Sequence, residues 1–228
     1  MNNACVMVGL DKKSRTVLCL GPPHSGKSVF AFILFKHLRE FGNDACVMDC
    51  DYYSPTYRRT RGDEIFGQDD NEHIYSTPNA RKLDKLTQEL YSRLSQSVFD
   101  AIVEEGVIVL DGIGMHTDST ETLLTLTEKL IVLCPCSFDV AIGAKKSCYL
   151  KEGKGIHPFD FYSSLKNKCI KITTFMNERK SSFDPTTLQA ELFNLDRDLI
   201  RKGNIENIPK ETRDTILKIG RFILEKWI

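Results

Sequence analysis

An apolar run that stops in a glycine-bounded loop and resumes as a helical pattern constrains this chain more than any other stretch: Thr16-Val-Leu-Cys-Leu-Gly21-Pro22-Pro23-His24-Ser25-Gly26-Lys27-Ser28-Val29. The spacing Gly21-x4-Gly26-Lys27-Ser28 is that of a phosphate-binding loop. Glycines let the backbone curl until several N–H groups face one anion, and the positive end of the following helix points to the same place. Residues 21 to 29, namely Gly21, Pro22, Pro23, His24, Ser25, Gly26, Lys27, Ser28 and Val29, are the candidate nucleotide contacts. Lys27 would reach the β- and γ-phosphates, and the Ser28 hydroxyl would hold Mg²⁺. Val17 to Leu20 suit a strand buried on both faces, while Val29, Phe32, Ile33, Phe35 and Leu38 mark an apolar helical stripe. Strand, loop and helix agree, which favours ATP with Mg²⁺ over an incidental glycine turn.

Two further apolar runs end in carboxylates. Ala45-Cys-Val-Met48 delivers Asp49 and Asp51 to the carboxyl end of a second predicted strand, where ligands bind in an open parallel sheet. A carboxylate there serves as general base toward an acceptor hydroxyl, as an outer-shell Mg²⁺ ligand, or only as a turn cap. Asp49 closes the apolar run and is expected to be the more buried, hence the base, with Asp51 as an orienting or metal-shell group. Val107-Ile-Val-Leu110 leads into Asp111-Gly112-Ile113-Gly114, and an aspartate after four aliphatic residues is the second nucleotide-site signature. Asp111 is therefore expected to act catalytically by holding Mg²⁺ with Ser28. Gly112 and Gly114 either admit the γ-phosphate to the backbone or simply turn the chain. His116 and Asp118 follow on the same loop, with a surface position the plainer reading for the histidine.

Basic residues offer two more candidates. Arg58, Arg59 and Arg61 form the densest basic cluster and open a polar stretch, 57–79, that reads as a lid-like excursion able to meet an anionic substrate. A solvated face is the alternative. Arg179 follows the fifth predicted strand, where it could contact the base or sense phosphate.

The remaining pattern fits one α/β domain spanning 1–228, a three-layer P-loop NTPase fold with a mostly parallel sheet of five or more strands. Strands are expected at 16–20, 45–49, 107–111, 131–134 and 170–175, with 4–8 either an extra antiparallel edge strand or a lone lead-in segment packed on the core. Helices are expected from 79 to 103, from 120 to 129 and from 210 onward. Lys plus Arg equal Asp plus Glu at 31 each, so no overall field draws the chain to nucleic acid or membranes. The eight cysteines sit largely in apolar runs, and neither Cys134-Pro-Cys136 nor Cys46-x3-Cys50 has structural-zinc spacing. With no leader pattern and no apolar run near the roughly 20 residues of a membrane span, a cytoplasmic location is expected.

The loop filling Gly-Pro-Pro-His-Ser-Gly-Lys-Ser-Val, residues 21 to 29, resembles the P-loop ATPase domain fused to, or encoded beside, CRISPR-associated ring nucleases that degrade cyclic oligoadenylate. The likeness covers 16–42 and departs at Asp49-Cys50-Asp51-Tyr52-Tyr53. It implies ATP binding and a role beside antiviral signalling. Asp-x-Asp-Tyr-Tyr is in turn similar to the acidic-aromatic motif of uridine-kinase-like enzymes, which implies an aspartate activating an acceptor hydroxyl. Two functions follow: a kinase-like phosphotransferase acting on a small-molecule, nucleotide or nucleic-acid hydroxyl, or an ATP-dependent switch or hydrolase working with a partner protein. An interaction module with a relic loop fits less well, because Lys27, Ser28 and Asp111 are all in place. The absence of an Asn/Thr-Lys-x-Asp motif after the fifth strand favours ATP over GTP.

Overall fold

The structure, a computed structural model, describes residues 15–42, 45–51, 74–76, 107–127, 129–141, 149–166, 168–177, 179–196 and 205–227. In chain order these form β1 (Thr16–Leu20), α1 (Lys27–Glu40), β2 (Ala45–Asp49), β3 (Ile74–Ser76), β4 (Val107–Asp111), α2 (Asp118–Thr125) and β5 (Lys129–Pro135). A two-residue pair follows, β6 (Leu150–Lys151) and β7 (Lys154–Gly155), then α3 (Pro158–Ser163), β8 (Lys168–Phe175), β9 (Ser182–Asp184), β10 (Gln189–Phe193) and α4 (Lys210–Phe222). The main sheet has eight strands in the order β3-β2-β4-β1-β5-β8-β10-β9. Every neighbouring pair is parallel except β10 and β9.

The central position of β1 follows from its composition. Alternate residues of a strand face opposite sides, and all five of β1 are buried, so both faces must be covered. Val17 and Cys19 join a core with Phe30, Ile33 and Leu34 of α1 and Ile216 and Ile219 of α4. Leu18 and Leu20 join a second core with Leu123 and Leu124 of α2 and Tyr162 of α3. Each such side chain removed from water contributes about 1.5–3 kcal/mol, which makes this three-layer arrangement the favourable one for a sheet apolar on both sides. α1 ends where Gly42 enters the left-handed region (φ 77°) and donates its N–H to Arg39 O at 2.8 Å.

β1, β2 and β4 coincide with the expected strands, and the fifth expected strand lies within β8. β5 begins at Lys129 rather than 131, because Lys129 and Leu130 pair with Val17 and Leu18 on one side and with Lys168 and Cys169 on the other. The helix expected over 120–129 stops at Thr125. Thr127 Oγ1 then bonds Thr16 O and accepts from Lys129 N at 3.0 Å, turning the chain into β5. β3 falls inside the stretch read as a polar excursion, and the β9–β10 hairpin was not anticipated. The lead-in near 4–8, the helix expected from 79 to 103 and most of 57–79 lie outside the described residues. No described helix is long and apolar enough to cross a membrane.

Candidate functional site

Parallel pairing brings the carboxyl ends of β1, β2 and β4 together. Cys19 and Asp49 both stand opposite Asp111 in the ladders. The loop from Gly21 to Gly26 joins β1 to α1. Ser25 N–H donates to Pro22 O at 3.3 Å, and the first turn of α1 closes with Phe30 N–H on Gly26 O at 3.0 Å. Lys27, only 7% exposed, bends back so that Nζ donates to Pro22 O at 3.4 Å. The lysine charge is thus held against the loop that precedes it, where a phosphate would exchange for a carbonyl.

A cavity of about 410 Å³ opens over this loop. One wall is Pro23 to Val29, a second is Asp51, a third is Ile113 to Met115, and a fourth is Met176 with Leu195 and Asp196. Asp49 and Asp111 are both fully buried and line no part of it, whereas Asp51 is half-buried and reaches the cavity. The strand ends at Asp49, whose Oδ1 accepts from Asp51 N–H at 3.1 Å, and Cys50 N–H donates to Asp111 O at 2.8 Å. These bonds tie 49–51 to β4 and fix the direction in which Asp51 leaves the sheet.

The buried thiols register the local field. Burial pushes Cys50 well above its ordinary value, and Asp49, Asp111 and Asp51 push it further. Burial likewise raises Cys19, with Asp111 adding to the rise and Lys27 opposing it. Both thiols stay protonated near neutrality and are therefore poor nucleophiles. The oxygen donors that line the cavity include the Ser28 hydroxyl at the start of α1 and the carboxylates of Asp51 and Asp196, while the Asp111 carboxylate is buried at the end of β4. An alcohol and a carboxylate suit a hard cation such as Mg²⁺, and neutral thiols do not compete for it.

Among the expected nucleotide contacts, Pro23, His24, Ser25, Gly26, Lys27, Ser28 and Val29 line the cavity, while Gly21 and Pro22 do not. Arg179 is not brought to this cavity: its guanidinium lies 4.5 Å from the centre of the Phe175 ring, a cation–π contact. Arg58, Arg59 and Arg61 lie outside the described residues. Ile113, Met115, Met176, Leu195 and Asp196 were missed. Each stands within three or four residues of the carboxyl end of a strand, a signal that was usable for β4 and β8 but not for the unrecognised β10.

No protein-family model and no curated protein matches the chain. Solved structures do. The septum site-determining protein MinD from Pyrococcus horikoshii OT3, complexed with Mg-ADP, superposes with a TM-score of 0.54 at 12% identity, covering 93% of this chain and 96% of that one. Cobyrinic acid a,c-diamide synthase from Mycobacterium smegmatis, with a bound ATP analogue and magnesium, gives 0.56 at 12% identity over 93% and 95%. Apo McdA from Cyanthece gives 0.54 at 12% identity over 92% and 99%. The fold is that of an α/β three-layer P-loop NTPase.

Proposed function

We propose that the chain binds Mg-ATP and moves the γ-phosphoryl group, as a kinase-like phosphotransferase acting on a small-molecule, nucleotide or nucleic-acid hydroxyl. The observation that carries this reading is one cavity with Lys27 and Ser28 on one wall and the Asp51 carboxylate on another. Solved structures of the same fold that hold Mg-ADP, or an ATP analogue with magnesium, support the choice of ligand. Lys27 offsets phosphate charge from within the loop. Ser28 would hold Mg²⁺ directly, and Asp111, buried like Asp49 and outside the cavity lining, would act on it through water; the ion supplies further charge neutralisation when bound. Asp51, facing the cavity, accepts the acceptor's proton, and Asp49 positions it through the Asp51 N–H bond. This allotment reverses the one expected from sequence, because burial withdraws Asp49 from the cavity.

The test is thermal stabilisation by ATP with Mg²⁺. At a hundredfold excess over Kd, binding stabilises by about 2.7 kcal/mol, a shift of roughly 5–11 °C for a chain of this size. Lys27→Ala should abolish the shift while the ligand-free protein melts as before. An unchanged shift in that variant overturns the site, and ATP turnover that is equal with and without every acceptor tried overturns transfer.

The second reading is an ATP-dependent switch or hydrolase that docks a partner. It is favoured by the Ile113–Met115 wall, which continues directly into packing against α3. On that reading a CRISPR-linked ring nuclease is the partner class, an association that rests on the loop sequence alone. A partner affinity that is equal with and without ATP would remove it.

A further inference from the structure

The segment after β4 has two ends with different neighbours. Ile113, Gly114 and Met115 line the nucleotide cavity, and Gly114 abuts Pro23 of the phosphate loop. One residue later the chain turns away. The His116 ring stands edge-on to Phe161 of α3 at 4.6 Å between centres and to Tyr162 at 5.9 Å. Its Nε2 is 2.7 Å from Glu121 Oε1 on α2, and only 14% of the side chain is exposed. Its Nδ1 is buried with no hydrogen-bond partner among the described residues.

That unpaired nitrogen makes the choice of residue informative. An aliphatic or phenyl side chain would fill an aromatic socket without burying an unsatisfied polar atom. What the imidazole adds is a directional bond to Glu121. Two more bonds act beside it: Thr120 Oγ1 donates to Met115 O at 2.9 Å, and Thr117 N–H donates to Thr120 Oγ1 at 3.2 Å. All three tie 115–117 to the first turn of α2, and the rings tie it to α3. The backbone that faces the cavity is thereby held from behind.

We propose that His116 is a positioning residue for the Ile113–Met115 wall, clamping it to α2 through Glu121 and to α3 through Phe161 and Tyr162. Its bearing on turnover rests on the ATP reading above, whereas the clamp itself does not. His116 lines no part of the cavity and is not a catalytic residue. The wall meets the phosphate loop where Gly114 abuts Pro23 but supplies none of the residues Ser25 to Ser28, so loss of the clamp should leave nucleoside-diphosphate binding largely intact and slow the step that needs the wall in place. Misplacement of a reacting wall by about 1 Å is enough for a hundredfold loss of rate.

The experiment uses the full chain and two readouts. Hydrogen–deuterium exchange of the ligand-free protein follows the peptide covering 112–117, with the β1 peptide as internal control. Steady-state ATP turnover and the Kd for ADP follow function. His116→Ala should speed exchange in 112–117 but not in β1, and lower kcat by about ten- to a hundredfold with the ADP Kd held within about twofold. Glu121→Ala, at an exposed position, breaks the bond without emptying the socket and should act in the same direction. His116→Gln, whose amide can still donate to Glu121, should restore much of both readouts. Unchanged exchange in His116→Ala and Glu121→Ala overturns the clamp. A joint fall in kcat, ADP affinity and melting temperature overturns the positioning role in favour of plain stability. Failure of the wild-type chain to bind or turn over ATP removes the nucleotide reading instead, and exchange still decides the clamp.

Discussion

Gly26 and Gly42 occupy the same backbone region in different surroundings, which allows two energies to be separated. Gly26 begins α1 at φ 82°, and a Cβ added there would meet Leu195 Cβ at 2.7 Å and Cδ1 at 3.0 Å. Gly42 ends the helix at φ 77° with nothing among the described residues within 4 Å of such a Cβ. In Gly42→Ala the left-handed backbone costs roughly 1–2 kcal/mol. The stiffer unfolded chain returns roughly 0.4–1 kcal/mol, leaving a net loss of about 1 kcal/mol. Gly26→Ala carries the same backbone term plus about 1–3 kcal/mol for forcing Leu195 away, or roughly 2–4 kcal/mol in total. For a chain of this length that is a fall in Tm of roughly 5–15 °C, against about 2–4 °C for Gly42→Ala. Urea unfolding and calorimetry measure both. Leu195→Gly removes the Cβ that is struck, so in the Gly26→Ala background it should show a favourable coupling of about 1–2 kcal/mol. ATP-dependent stabilisation should weaken in Gly26→Ala, because Leu195 and Asp196 form a wall of the cavity. Equal losses at the two glycines, or strict additivity with Leu195→Gly, would refute the packing of Leu195 onto the phosphate loop.

Three other outcomes are expected. Asp51→Asn should lower ATP turnover by roughly 10²–10⁴-fold with nucleotide affinity near wild type; full turnover would return the base to Asp49. Burial pushes Cys134 up to about 12 and Cys169 to about 11, and holds Cys19 and Cys50 well above the ordinary value, while Cys136 is exposed. Peptide mapping after a short iodoacetamide pulse at about pH 8, near the usual thiol value, should find Cys136 modified and those four intact, and early labelling of Cys134 would contradict the packing of β5. Burial, with Lys171 adding to it and Asp160 opposing, lowers the His157 value from its ordinary 6.5. As the pH falls through 6.5 the unfolded chain gains a proton that the native imidazole refuses, so stability should drop from there until the native value is reached. Urea midpoints between about pH 7.5 and 5 bracket the ordinary histidine range, and His157→Asn, which can still accept the Phe159 N–H that His157 Nδ1 accepts at 3.3 Å, should flatten the dependence; an unaltered slope would assign it to another group.

The sequence by itself determined the parts whose cause is local. β1, β2 and β4 were legible to the residue because a strand buried on both faces is an unbroken apolar run, and the phosphate loop because its glycines, lysine and serine fall within eight consecutive residues at a fixed spacing. The carboxylates at the ends of β2 and β4 could be named for the same reason, and parallel pairing then set Asp49 opposite Asp111. Only tertiary structure decided the rest. β3 spans three residues and is a strand through its pairing with Val47, Met48 and Asp49. β10 alternates exposed Gln189 and Glu191 with buried Ala190 and Leu192, a faint period-two signal in five residues, and its place depends on β8, from which β9 separates it in the chain. The directions of side chains just past the strand ends were equally hidden. Asp51 enters the cavity because Asp49 Oδ1 takes its N–H, Arg179 leaves it for the face of Phe175, and His116 turns into α3. Asp51 and Arg179 are directed by the last residue of the strand each follows and His116 by residues of α2 and α3, and a pattern of residue types carries no record of which of these contacts a loop will make.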